Sequence, residues 1–170
     1  MYFVFRAFFG LFAVCLVAAN SIPAIARAAS YDLSGRVQIT KVSDGDSLRS
    51  GTLQIRLFGI DAPELNQECK DQNGRIWGCG IAAHRQLVTL IGTKKELQCS
   101  LRDVDRYGRL IMQCFTGSTD IGAAMVQSGH ALAYRHFSDL YIADEDQAKT
   151  AQKGIWRGIF VPPWEWRRNN

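Results

Sequence analysis

The sequence predicts an α+β fold, mainly β: a five-stranded Greek-key barrel of the OB type carrying about three helices. Three observations lead there. Short alternating or apolar-rich segments run in the order three strands, helix, two strands, two helices. Each helix-like stretch stops at a glycine, namely Gly92, Gly129 and Gly154. The chain of 170 residues is 47% hydrophobic and 21% charged, which is globular composition with room for one domain. Collagen, coiled coil and multi-span membrane protein are excluded by that composition.

Taken in order, the first element is not part of the fold. Arg6 precedes a thirteen-residue apolar stretch from Ala7 to Ala19, and Asn20, Ser21 and Pro23 then break it. The small residues Ala24-Ile25-Ala26-Arg27-Ala28-Ala29 complete the pattern of a secretory signal peptide, residues 1–28, with cleavage after Ala26 or Ala28. An uncleaved anchor is disfavoured because a span takes roughly 20 apolar residues. Val14 before Cys15 argues against lipidation. The expected destination is the periplasm or the exterior, with no stable membrane association after cleavage. Residues 31–170 are left as one domain. Removing Arg6 and Arg27 lowers the net charge from +4 to +2, so polyanion binding has to come from placed arginines rather than bulk charge.

Tyr31–Val42 alternates Val37 and Ile39 against Arg36, Gln38 and Thr40 and reads as a strand. Ser47–Arg49 and Leu53–Phe58 follow as strands around the turn Ser50-Gly51. Ile81–Ile91 has apolar residues at 81, 83, 87, 88, 90 and 91 and reads as an amphipathic helix. Lys95–Leu101 and Leu110–Phe115 are strands, and Ile121–Ser128 and Ala143–Lys153 are helices.

Four cysteines follow the leader, an even number that suits an oxidising compartment and admits three pairings. Asp105-Arg106-Tyr107-Gly108 is turn-like, and the midpoint of 99 and 114 falls at 106.5, inside it. An antiparallel hairpin there sets Cys99 opposite Cys114. Cys69 and Cys79 then pair around Lys70–Gly78. Each bridge closes a loop worth about 3 kcal/mol. Zinc would need paired C-x-x-C or nearby histidines, which these spacings do not offer.

Chemistry concentrates in two stretches. The first is Asp44-Gly45-Asp46 followed by Arg56-Leu57-Phe58-Gly59-Ile60-Asp61-Ala62-Pro63-Glu64; the second is Asp105-Arg106-Tyr107-Gly108-Arg109. Alone, Asp-Gly-Asp reads as a hairpin tip. Arg56, however, is a charge inside an apolar strand, where it needs a partner or a function. Three acids and an arginine near two strand ends can gather round one hard cation, since Ca2+ takes carboxylates, a backbone carbonyl and waters. Two guanidiniums beside it match a phosphate gaining charge, and a further carboxylate can take a proton from water. That set points to phosphodiester hydrolysis.

Asp46, the run R-x-x-G-I-D-A-P-E and the following D-x-Y-G-R together resemble the staphylococcal nuclease family over about residues 35 to 160. The resemblance implies a Ca2+-dependent nuclease acting on DNA and RNA with little sequence preference, leaving 3′-phosphates. Asp46 and Asp61 would hold Ca2+ through carboxylates and Ala62 through its carbonyl. Glu64 would be the general base, with Arg56 and Arg109 as phosphate clamps. Tyr107 and Arg106 would contact substrate, and Asp44 would support the ligands. Ala62 and Ser47 stand where the best-known member has threonine. A monomer is expected. Two rivals stand beside this reading: an exported, non-catalytic OB module that binds nucleic acid or protein, and a secreted interaction domain that binds Ca2+.

Other signals are set aside. His84, His130 and His136 have no ligand spacing. Asp144-Glu145-Asp146 reads as acids at a helix N-terminus. Asp71–Gly74 resembles a calcium loop but has Ala82 where position twelve needs Glu. The tail Pro162-Pro163-Trp164-Glu165-Trp166-Arg167-Arg168 could stack bases, but packing on its own domain is the favoured expectation.

Overall fold

The computed structural model describes residues 33–170. The expected signal peptide and its cleavage site lie outside the described residues. The strand expected as far as Val42 is divided into β1 (Ser34–Gln38) and β2 (Lys41–Val42). The division has a cause: the Ile39 N–H donates to the Lys95 carbonyl at 2.6 Å and the Thr40 N–H to that of Arg49 at 2.8 Å, so the chain changes partner between them. There follow β3 (Ser47–Ser50), β4 (Leu53–Leu57) and β5 (Ile60–Asp61). Next come β6 (Cys69–Asp71), β7 (Ile76–Trp77) and α1 (Cys79–Ile91). The hairpin β8 (Glu96–Val104) and β9 (Leu110–Thr116) precedes β10 (Thr119–Asp120) and α2 (Ile121–Gln127). β11 (Leu132–Ala133), α3 (Ile142–Thr150), a 3-10 turn at Gly154–Arg157, β12 (Gly158–Ile159) and α4 (Pro163–Asn169) complete the order.

The principal sheet runs β1-β8-β9-β4-β3-β2, with β10 folded onto β9. β4 and β9 are parallel and the other neighbours antiparallel, which gives the curled, mainly β sheet of an OB-type α+β fold. Among the described residues there are four α-helices rather than about three. The fourth is the C-terminal tail, whose Pro163 sits at the first helical turn where a missing N–H costs nothing.

Cys99 lies opposite Cys114 in the β8–β9 register and is bonded to it, and Cys69 is bonded to Cys79. The loop expected between the latter pair is itself a small hairpin, β6–β7, to which β12 adds a third strand. The main core gathers Leu48, Ile55 and Leu57 from the sheet with Ala83, Leu87 and Ile91 from α1 and Met125 from α2. Residues 83, 87 and 91 recur every four positions, so one face of α1 is buried. A second cluster joins the Cys69–Cys79 bridge to Leu132 and Ile155, with Trp77, Trp156, Phe160 and Trp164 against it. This places the C-terminal segment next to the chain that follows Glu64.

Asp144 and Glu145 lie in the first turn of α3, as expected, but Glu145 has a further place. It is 2% exposed, accepts from the Ala133 N–H at 3.1 Å, and pairs with Arg135 and Lys149. Its place is structural, tying α3 to β11.

His130 makes fold stability pH-dependent. Burial holds its imidazole below the ordinary value and the Arg157 charge adds to this, against the Ser128 hydrogen bond. As pH falls through about 6.5 the unfolded chain therefore takes up a proton before the folded one, and stability drops. Thermal unfolding between pH 7.5 and 5.5 should show this fall, and His130→Gln should flatten it.

Candidate active site

The site is built from the alternation of β4. Ile55 and Leu57 point into the core, and Arg56 between them faces the other side of the sheet. Ser47 is the register partner of Arg56 across β3, which brings Asp46 to the same place, and the Leu57 N–H donates to the Asp46 carbonyl at 2.8 Å. Asp61 comes from β5, held by pairing with Leu132 in β11. Arg56 bridges the two carboxylates, donating to Asp46 Oδ1 at 3.0 Å and to Asp61 Oδ1 at 2.5 Å. Asp46 also accepts from Ser47 Oγ at 2.9 Å and from the Ala62 N–H at 2.8 Å.

These groups lie deep. The Asp61 side chain is 0% exposed, that of Asp46 4% and that of Arg56 13%. Burial works against the Arg56 charge, but Asp46 and Asp61 outweigh it and hold the guanidinium above its ordinary value. Asp44 accepts from the Asp46 N–H at 2.9 Å. Burial and then the Asp46 charge push its carboxyl up to about 6.

Glu64 follows Pro63, and its backbone is pressed against α1. A Cβ on Gly80 would lie 1.7 Å from the Glu64 carbonyl oxygen, so only glycine permits this approach. Gln67, fully buried, accepts from the Glu64 N–H through Oε1 at 3.2 Å.

Arg109 precedes β9, whose Ile111 is the register partner of Arg56. Residues 109 and 111 share a face, so both guanidiniums look into one cleft of about 1750 Å³. Asp105 fixes Arg109 by accepting from Nε at 2.7 Å and from its N–H at 3.0 Å. The turn between them needs Gly108 at φ +77°. Tyr107 is 67% exposed at the tip, with the guanidiniums of Arg106 and Arg109 at 4.8 and 5.7 Å from its ring centre. Arg56, Glu64, Asp44, Arg106, Tyr107 and Arg109 all line the cleft, whereas Asp46, Asp61 and Ala62 lie buried behind it.

The chain is similar to known proteins. The model of the staphylococcal nuclease homologue family matches residues 54–158, well over half of the chain. The chain belongs to this family. It is 31% identical over 151 residues to the micrococcal nuclease of Shigella flexneri, covering 78% of this chain and 80% of that protein. It is 30% identical over 144 residues to an uncharacterized endonuclease of Escherichia coli O157:H7, covering 80% and 86%. Against the succinoglycan biosynthesis protein ExoI of Rhizobium meliloti it is 30% identical over 118 residues, 68% of this chain but 62% of that protein.

For this staphylococcal nuclease homologue the fit of a metal ion is decided by the donors. Asp44, Asp46, Asp61 and Glu64 offer only oxygen, which suits a hard divalent cation. Two guanidiniums, however, already engage these oxygens, and among the described residues no cluster of three or more acids, histidines or cysteines is arranged to hold a metal ion. One guanidinium is Arg56. The other is Arg167, which the sequence marks only as part of the tail that packs on its own domain. From α4 it donates to Asp61 Oδ1 at 3.0 Å, to Asp61 Oδ2 at 2.7 Å and to Glu64 Oε1 at 2.7 Å. Separations of 103 and 106 residues hide this pairing, and the one signal in the sequence is a pair of arginines closing an aromatic tail.

Proposed function

We propose that this protein is a Ca2+-dependent phosphodiesterase that cleaves DNA and RNA with little sequence preference and leaves 3′-phosphates. The reading rests on one observation above all: Arg56 bridges Asp46 and Asp61 at the back of a cleft whose rim carries Glu64 and Arg109. Family membership and the nuclease relatives support it. Asp46, Asp61 and the Ala62 carbonyl would hold the cation, with Asp44 behind them. When bound, the ion supplies Lewis-acid polarisation of a phosphoryl oxygen and lowers the pKa of water.

The remaining roles fall to the chain itself. Glu64, at the cleft wall, takes the proton of the attacking water. Arg56 and Arg109 offer their forked donors to the equatorial oxygens as negative charge grows on phosphorus. Asp105 keeps Arg109 in place, and Tyr107 gives a face on which a base or sugar can rest. The modest net charge favours contact through a few placed groups over a long basic track.

We further propose that residues 1–28 are a signal peptide and that residues 31–170 act as one monomeric domain in the periplasm or outside the cell. Among the described residues no helix is long and apolar enough to cross a membrane. The test is cleavage of single- and double-stranded DNA by the purified protein in Ca2+ and then in EGTA. Degradation in Ca2+ that stops with EGTA is expected. Protein that binds DNA and never cuts it would instead favour the non-catalytic module.

A further inference from the structure

Arg167 holds the outward face of the proposed cation site. Both Asp61 oxygens, which a cation would need, accept from it, and so does one oxygen of Glu64 beside them. Burial works against its charge, but the bonds from Asp61 and Glu64 outweigh this and hold the guanidinium above its ordinary value. The contact is no accident of a loose terminus. Pro163 is buried and Trp164 stacks on Tyr134 with ring centres 5.8 Å apart and planes 10° apart. Gln67 Nε2 donates to the Val161 carbonyl at 2.7 Å while its Oε1 accepts from Glu64, so one buried side chain ties the C-terminal segment to the Glu64 loop. β12 pairs with β6 immediately before this segment.

The two occupants compete for the same oxygens. Arg167 already takes both oxygens of Asp61, and a divalent cation drawing on them would set like charge against the guanidinium at close range.

We propose that Arg167 and the divalent cation are alternative occupants of the Asp61 carboxylate, so that the C-terminal helix is a built-in competitor that sets how much cation the site requires. This rests on the metal-dependent reading above. On cation binding the Arg167 head leaves Asp61, while Trp164 and Pro163 keep the helix in place. The guanidinium then stands at the cleft wall, available to a phosphate oxygen.

The test is calorimetric titration of Ca2+ into the purified wild-type protein, Arg167→Ala and Arg168→Ala, in the absence of nucleic acid. Arg168→Ala removes the same charge from the same helix without these contacts. Arg167→Ala is expected to bind Ca2+ at least about tenfold more tightly, and Arg168→Ala to change by less than about threefold. Arg167→Gln, which keeps the length of the contact and loses the charge, replaces Arg167→Ala if that variant fails to fold. Unchanged or weaker binding in the Arg167 variant would overturn the competition while leaving the metal reading intact. Equal tightening in both variants would also overturn it, as an effect of bulk charge. If no variant binds Ca2+, the metal reading itself falls and the competition with it.

Discussion

Arg56→Met is expected to unfold about 3–5 kcal/mol more easily than the wild-type protein and to lose cleavage about 100- to 1,000-fold. The stability loss follows from what the substitution leaves behind. Asp61 is fully buried and Asp46 nearly so, and each loses a charged donor that the methionine cannot replace. Asp61 keeps Arg167, and Asp46 keeps Ser47 and the Ala62 N–H, so the structure is weakened rather than abolished. For a domain of this size the deficit is a fall in Tm of roughly 10–20 °C. The sign with pH is also fixed. Burial already raises the Asp61 carboxyl against its bonds to Arg167, and loss of the Arg56 charge raises it further, so acidification protonates it in the folded state first and the deficit shrinks. Arg56→Lys keeps the charge but cannot bridge two carboxylates through a planar fork, and it should fall between wild type and Arg56→Met in both measurements.

Much of the fold was legible because local pattern and tertiary structure agree. The β8–β9 hairpin could be placed from the symmetry of Cys99 and Cys114 about a turn, and α1 from apolar positions 83, 87 and 91. What escaped was structure set by partners distant in sequence. β5, β11 and β12 are two residues long, too short for any alternation to register, and exist because a distant strand is alongside. Glu145 reads in sequence as one of three acids at a helix start, and its burial against β11 is set by a distant strand. At the site, a charge flanked by Ile55 and Leu57 drew attention to Arg56, and two motifs carried Asp61, Glu64 and Arg109. Arg167 had no such flag. Its partners are assigned by the docking of the tail through Trp164 and Gln67, which no local pattern encodes.

Glu64→Gln is expected to keep the fold and lose roughly 100- to 10,000-fold in turnover. The amide is isosteric and can still accept from Arg167, so the geometry around Asp61 survives, but it cannot take a proton from water. Glu64 also lies at the cleft wall with its side chain 27% exposed, so its loss leaves no charge buried unpaired. Stability should therefore change far less than in Arg56→Met, which separates a chemical from a structural role. The most direct measurement is the single-turnover rate of single-stranded DNA hydrolysis by Glu64→Gln and wild type, both saturated with DNA and Ca2+. A rate at least about 100-fold lower, with DNA and Ca2+ still bound, is the predicted result. Hydrolysis at the wild-type rate would contradict the assignment of Glu64 as the base, and with it the chemistry proposed for this cleft.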